Sequence, residues 1–124
     1  MVEIEEELAP KAIGPYSQGV ISGNFVYVSG QLPINAKTGI IESNDVILQT
    51  RQSLENVKSI LENSGSDMSK VVKTVIYLDD IEDFSNVNQE YAKFFKKPFP
   101  ARACFQVAKL PKSAKVEIEA IAEL

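Results

Sequence analysis

Residues 46–78, VILQTRQSLENVKSILENSGSDMSKVVKTVIYL, contain two different hydrophobic periods. In the first half, apolar or small side chains recur every three or four residues, at Val46, Thr50, Leu54, Val57 and Leu61. This spacing is typical of an amphipathic helix, which we predict over residues 44–64. Residues 71–78 are strongly β-branched instead, which predicts an inner β-strand. The middle of the chain therefore combines a helix with a strand of the core.

The predicted helix has a sequence signal at each end. Asn44 is the predicted N-cap, with Asp45 in the first turn, and Gly65 lies where a C′ glycine is expected. The polar face, opposite the apolar stripe, is formed by Gln49, Gln52, Glu55 and Glu62. We expect this face to lie in solvent.

Strand patterns lie on both sides of this region. The β-rich residues 20–21 and 25–28 are separated by Ser22-Gly23-Asn24, which predicts a hairpin. Two further strands are predicted near the end of the chain, at 101–107 and 115–122.

A second helix is predicted after Asp83, a residue type that caps helices. Its inward stripe is formed by Phe84, Val87, Asn88, Tyr91 and Phe95. Pro98 and Pro100 are expected to end it.

The predicted element order is ββαβαββ, which indicates an α+β domain with two helices on one face of a four- to six-stranded sheet. Strand alternation places Phe25 and Tyr27 on one side of the sheet and Val26 and Val28 on the other, so both faces are apolar. A chain this short is expected to bury the second face against copies of itself, as a homo-oligomer.

The composition bounds the class of protein. The 124 residues suffice for one domain, and 44% hydrophobic with 24% charged residues is ordinary for a globular chain. The acidic start, MVEIEEEL, predicts no secretory signal, and no apolar run approaches the roughly 20 residues of a membrane span. A single cysteine suits a reducing compartment, so we expect a cytoplasmic protein.

The chain has no histidine and a net charge of -4 at pH 7. Histidine triads, histidine zinc sites and the histidine acid/base pair of small ribonucleases are therefore excluded. Nucleic-acid binding is unfavourable because no dense basic cluster is present. We interpret the one local patch, Lys109, Lys112 and Lys115, as a solvated loop.

Arg102 stands out within FPARACFQV, residues 99–107, because the chain has eleven lysines but only two arginines. Alternation places it on one face with Cys104 and Gln106. If the last two strands pair as a hairpin near 109–110, Arg102 lies across from Glu117, although the sequence does not fix that register. Arg102 then either forms a cross-strand salt bridge or anchors a ligand carboxylate while Glu117 handles water or a proton.

Four other positions have both a structural and a functional interpretation. Cys104 lacks a histidine to activate it and is expected to contribute packing and backbone contacts. Asn88 either caps backbone groups or reaches a ligand or a neighbouring subunit. Tyr16 is either packing or a pocket wall, and Ser29-Gly30 is either a bulge or a close approach to a ligand. These residues indicate a carboxylate-binding pocket but no particular reaction.

Six motifs together resemble the RidA family, also called the YjgF family, over nearly the whole chain. They are IGPYSQG at 13–19, VSGQLP at 28–33, RQSLENVKSILENSG at 51–65, VNQEYAKFF at 87–95, FPARACFQVAKLP at 99–111 and VEIEAIA at 116–122. The resemblance implies a homotrimer with a chorismate-mutase-like α+β fold, a mixed sheet with two helices on one face, and three ligand clefts between subunits.

The resemblance also implies an activity, the hydrolysis of 2-iminobutanoate and 2-iminopropanoate to 2-oxo acids and ammonia without a metal or organic cofactor. By this resemblance Arg102 holds the substrate carboxylate, Glu117 is associated with the attacking water, and Cys104 contributes mainly backbone contacts. The remaining family site positions match Tyr16, Ser29, Gly30 and Asn88.

Two alternatives belong to other classes of protein. The first is a non-catalytic protein that binds small metabolites or acts as a chaperone through the same cleft, although Arg102 favours the enzyme. The second is a ribonuclease or translation inhibitor, which the acidic balance and the absence of histidine make the weakest interpretation.

Overall fold

The helix and strand predicted in the middle of the chain are both present in the computed structural model, which describes residues 1–124. The strands are β1 (Val2–Ile4), β2 (Gly19–Ser22), β3 (Phe25–Gln31), β4 (Val71–Leu78), β5 (Ala101–Gln106) and β6 (Val116–Glu123). The helices are α1 (Val46–Asn63) and α2 (Phe84–Tyr91). The structure thus adds one strand, β1, at the acidic start, so the element order is βββαβαββ rather than ββαβαββ.

The six strands form one mixed sheet in the order β1-β2-β3-β6-β4-β5. All neighbours are antiparallel except β4 and β5, which are parallel. The predicted pairing of the last two strands is wrong, because β6 inserts between β3 and β4 while β5 takes the outer edge. The buried apolar row of β6 suits the centre of the sheet, whereas β5 is largely exposed and carries Arg102.

The core lies between the two helices and one face of the sheet, as predicted. Val26, Ile76 and Ile118 are fully buried on that face, and the whole predicted stripe of α1 is buried against it. The other face is open, and Tyr27 and Phe105 remain 42% and 54% exposed there. The sheet is therefore apolar on both sides, although only one side is covered within the chain.

One of the two predicted end signals of α1 is confirmed, and the other is shifted by one residue. Asp45, rather than Asn44, is the N-cap, because its carboxylate accepts a hydrogen bond of 2.8 Å from the Ile47 amide. Gly65 has a φ of +90°, which confirms the predicted C′ glycine. Asp83 precedes α2, but its side chain forms no capping hydrogen bond. The short 3-10 turn before α2 is capped by Asp80.

Gln49 is buried rather than exposed, contrary to its predicted place on the polar face. Its Nε2 donates to the Ser43 carbonyl at 2.7 Å, and its Oε1 accepts from the Lys115 amide at 2.8 Å. The side chain thereby fastens the segment that leads into β6 to α1.

Glu90 of α2 is the other unexpected buried polar residue, with 2% of its surface exposed. Arg51 Nε lies 2.8 Å from its Oε2, and Lys93 Nζ lies 3.0 Å from its Oε1. The hydrogen bond from Arg51 lowers the pKa of Glu90, so this carboxylate joins α1 to α2 in its ionised form.

Neither helix combines the length and the apolar character needed to cross a lipid bilayer.

Candidate active site

Arg102 is exposed at the edge of the sheet and points toward the helices, since its register partner on β4 is the buried Thr74. Its Nη1 donates a 2.8 Å hydrogen bond to Asn88 Oδ1. The guanidinium forms no ion pair within the chain, and the cross-strand salt bridge considered from the sequence is absent. The charge of Arg102 therefore stays uncompensated by any carboxylate of its own chain.

Helix α2 supplies the surroundings of this guanidinium. Phe84, Asn88 and Tyr91 follow one another at four- and three-residue spacing and so lie on the same side of the helix. The Arg102 Cζ is 5.3 Å from the Phe84 ring centre and 4.9 Å from the Tyr91 ring centre. Asn88 contacts the guanidinium with its side chain and caps no backbone group with it, so its observed partner is Arg102 of the same chain, which neither interpretation from the sequence had named.

Cys104 lies two residues beyond Arg102 on the same face of β5 and is half-buried. Burial raises the pKa of its thiol, and the nearby charge of Arg102 offsets that rise only in part. The thiolate is therefore disfavoured, as expected for a cysteine that is not a nucleophile. We call Arg102, Asn88 and Cys104 the arginine cluster.

Glu117 lies on the opposite face of the sheet, next to a bulge in β3. The register between β3 and β6 shifts between Val28 and Gln31, and Gly30 lies within this shift. The Glu117 carboxylate occupies the space beside Gly30, and an added Cβ at Gly30 would collide with its Oε1. Burial first, and the charge of Glu119 second, raise the pKa of Glu117.

Ser29 connects this bulge to the segment that carries Tyr16. Its Oγ donates to the Ser17 carbonyl at 2.5 Å, and its amide donates to the Gln18 carbonyl at 2.9 Å. Tyr16 is 53% exposed, and with Ser29 it lines a cavity of about 570 Å³ on the open face. Tyr16 therefore lies outside the core and lines a cavity of the open face.

The cavity is lined by neither Gly30 nor Glu117, so Ser29 is the link between Tyr16 and these two residues. We call Tyr16, Ser29, Gly30 and Glu117 the glutamate cluster. The two clusters do not meet within one chain. Arg102 is paired with Thr74 of β4 and Glu117 with Tyr77, and residues three apart on a strand face opposite sides. The predicted position of Arg102 across from Glu117 is therefore wrong.

Two aromatic residues of α2, which the sequence did not indicate as part of this site, contact Arg102. Phe84 and Tyr91 were assigned to the inward stripe, and Tyr91 is indeed 6% exposed, yet both rings contact the guanidinium of Arg102. Their spacing could have indicated this contact. Phe84, Asn88 and Tyr91 lie on one side of a short helix, so the two aromatic rings flank the asparagine. No group of three or more cysteine, aspartate or glutamate side chains is arranged to hold a metal ion.

Gly30→Ala is expected to reduce turnover at least about tenfold, because the new methyl group would displace the Glu117 carboxylate. The measurement is kcat for a 2-imino acid, the substrate class that the family resemblance implies. Gly23→Ala is the matched control, since Gly23 lies in the β2–β3 turn with open space around it. Its φ of +59° makes a loss of thermal stability the expected effect there. Full activity of Gly30→Ala would contradict the importance of the contact between Gly30 and Glu117.

Comparison with known proteins identifies the family. A family model described as Endoribonuclease L-PSP matches residues 6–124. The 2-iminobutanoate/2-iminopropanoate deaminase of Escherichia coli strain K12 is 52% identical over 122 residues, covering 96% of this chain and 94% of that protein. Other curated relatives of similar identity carry only the name RutC family protein.

Solved structures agree with this assignment. The YjgF gene product of E. coli has a TM-score of 0.94 and 48% identity, covering 99% of this chain and 98% of that chain. The structure of E. coli TdcF with bound serine has a TM-score of 0.94 and 43% identity, covering 100% of this chain and 98% of that chain. The chain belongs to the Endoribonuclease L-PSP family, to which the RidA and YjgF proteins belong.

Proposed function

We propose that this protein hydrolyses reactive 2-imino acids, such as 2-iminobutanoate and 2-iminopropanoate, to 2-oxo acids and ammonia. One observation carries the proposal. Arg102 is held only by neutral groups and is exposed at the sheet edge, so its charge is available to a ligand carboxylate. The single cysteine suits a reducing compartment, and we place the reaction in the cytoplasm.

The active form in this proposal is a homotrimer. The arginine cluster and the glutamate cluster lie on opposite faces of one sheet, so a complete site needs the arginine cluster of one copy and the glutamate cluster of the next. The exposed apolar side chains of the open face, including Tyr27 and Phe105, support association through that face.

Arg102 binds the substrate carboxylate through two parallel N–H donors of its guanidinium. Asn88 accepts from Nη1 and so restricts the rotation of the group without cancelling its charge. This fixes the imino carbon relative to the sheet edge, and the gain in rate comes from orientation. Cys104, on the same face, contributes its backbone rather than its thiol.

Glu117 acts on the water. The ionised carboxylate takes a proton from water as the oxygen attacks the C=N carbon, and the imine nitrogen receives a proton, which gives a carbinolamine. Proton transfer to the amino nitrogen and loss of the hydroxyl proton then break the C–N bond and release ammonia and the 2-oxo acid. The raised pKa of Glu117 suits both steps, because the group accepts and returns a proton nearer to neutral pH.

The relatives support this chemistry. A protein 52% identical to this chain is named a 2-iminobutanoate/2-iminopropanoate deaminase. TdcF was solved with serine, whose α-carbon carries both a carboxylate and an amino nitrogen. In the proposed substrates the corresponding carbon carries a carboxylate and an imino nitrogen. The family description also names an endoribonuclease, but the acidic chain offers no histidine for that reaction.

The test is a coupled assay in which a threonine dehydratase releases 2-iminobutanoate. We expect 2-oxobutanoate to form faster when this protein is added, and Arg102→Ala protein to leave the rate unchanged. An unchanged rate with the wild-type protein, together with measurable binding of 2-oxobutanoate, would indicate the alternative, a non-catalytic metabolite-binding protein.

A further inference from the structure

Three side chains of α2 that face β5, Phe84, Asn88 and Tyr91, surround the guanidinium of Arg102, and we call them the seat. The Phe84 and Tyr91 rings lie 5.3 and 4.9 Å from Cζ, within the range of cation–π attraction, and Asn88 Oδ1 accepts from Nη1 at 2.8 Å. All three groups are neutral, so the seat restricts the guanidinium while its positive charge is kept for a ligand.

Tyr91 is the member of this seat that the rest of the fold holds most firmly. It is 6% exposed, and its Oη lies 2.7 Å from Thr74 Oγ1 in a buried hydrogen bond. Its ring also packs against that of Phe95, with ring centres 4.5 Å apart and ring planes tilted by 36°. Thr74 is in turn the register partner of Arg102 on β4. A continuous series of contacts therefore leads from Thr74 of β4 to Tyr91 of α2 and on to Arg102 of β5.

We propose that Tyr91 is a positioning residue that fixes the direction of the Arg102 guanidinium, and that Thr74 holds the Tyr91 ring in place for this purpose. This inference rests on the proposed function, since it assigns how the carboxylate anchor of that site is aimed. The Tyr91 hydroxyl is occupied by Thr74, and the ring faces the guanidinium. Tyr91 therefore acts through Arg102 and not on the substrate.

The first test compares Tyr91→Leu with Tyr91→Phe. Leucine keeps an apolar side chain but removes the aromatic face, and the KM for 2-iminobutanoate is expected to rise about tenfold with a smaller change in kcat. Phenylalanine keeps the aromatic face but loses the hydrogen bond to Thr74, so its KM is expected to rise severalfold, less than that of Tyr91→Leu. Equal KM values for the two variants and the wild type would overturn the proposal.

The second test concerns Thr74. Thr74→Val leaves the buried Tyr91 hydroxyl without a partner, so the ring is expected to shift and KM to rise severalfold. The double variant Thr74→Val/Tyr91→Phe loses the same single hydrogen bond, so its KM is expected to be no higher than that of Thr74→Val. A double variant with a higher KM than Thr74→Val would overturn the assigned role of Thr74.

Two controls separate positioning from a general loss of stability. Val57→Ala creates a cavity in α1, where Val57 is 1% exposed, and is expected to lower Tm without changing KM. In an Arg102→Ala background, Tyr91→Leu is expected to cause no further loss of the residual activity, because the residue it positions is gone. A further loss of similar size in that background would show that Tyr91 does not act through Arg102.

A readout that needs no substrate keeps this inference separate from the proposed function. The chain has only two arginines, so the NMR signal of the Arg102 side-chain Nε–H is readily assigned by comparison with Arg102→Lys. In the wild type the two rings are expected to shift this signal, and Tyr91→Leu is expected to move it toward the value of a free arginine. Absent hydrolysis with this spectral change would refute the function alone, whereas an unmoved signal would refute the positioning role.

Discussion

Arg102→Ala is expected to reduce kcat/KM for 2-iminobutanoate about 100-fold or more, because two charge-assisted hydrogen bonds to the substrate carboxylate are lost. The side chain is exposed and its only hydrogen bond within the chain goes to Asn88, so folding and assembly are expected to persist. Activity is measured in the coupled assay and assembly by size-exclusion chromatography with light scattering. Arg102→Lys keeps the charge but lacks the planar fork, and we expect intermediate activity.

The other arginine of the chain is the matched control. Arg51 pairs with the buried Glu90, which is two residues from Asn88 and so points to another side of α2. Arg51→Ala is therefore expected to lower Tm while kcat/KM stays near the wild-type value. Equal activity of Arg102→Ala and the wild type would rule out the carboxylate anchor. A similar loss of activity in both variants, with a similar loss of assembly, would show that stability and not chemistry had been measured.

Glu117→Gln is expected to reduce kcat about 100-fold while KM changes by less than about threefold, because the amide can hold water but cannot accept its proton. Single-turnover kinetics with 2-iminobutanoate and calorimetric binding of 2-oxobutanoate separate the two effects. Glu123→Gln is the control, since Glu123 is an exposed carboxylate on the same strand. Loss of 2-oxobutanoate binding in Glu117→Gln would reassign Glu117 to the structure of the pocket.

The same substitution has an expected effect on stability that depends on pH. The folded chain raises the pKa of Glu117, so the native state binds the proton more tightly than the unfolded state does. The tighter binding of this proton stabilises the native state fully at a pH below the ordinary glutamate pKa. The stabilisation is lost as the pH rises from that ordinary pKa through the raised pKa of the folded chain. Glu117→Gln is therefore expected to have a higher Tm than the wild type at neutral pH, with the difference disappearing below about pH 4.

The main helix, α1, and the inner strand, β4, could be predicted because their signals are local. An apolar stripe at helical spacing and a β-branched run each specify their own conformation over residues 46–63 and 71–78. The extra strand, β1, was missed because its three residues, VEI, carry too short a pattern to distinguish an edge strand from a loop. Gln49 was misplaced because both of its hydrogen-bond partners lie outside its helix.

The site was harder to predict than the elements, for a physical reason. Alternation along β5 and β6 correctly assigned which residues share a face, but alternation does not specify which strand lies beside which. The pairing of Arg102 with Glu117 followed from assuming adjacent strands, and the insertion of β6 between β3 and β4 removed that contact. Tyr16 and Asn88 each had two interpretations because their surroundings depend on distant parts of the chain.

The separation of the arginine cluster from the glutamate cluster has a consequence for mixtures of defective chains. If each cleft takes its guanidinium from one copy and its carboxylate from the next, then Arg102→Ala and Glu117→Gln chains repair one another after subunit exchange. Random exchange of equal amounts leaves about a quarter of the clefts with both groups intact, so two nearly inactive preparations should regain about a quarter of normal activity on mixing. Recovery of no activity after verified exchange would contradict a cleft that is shared between two copies.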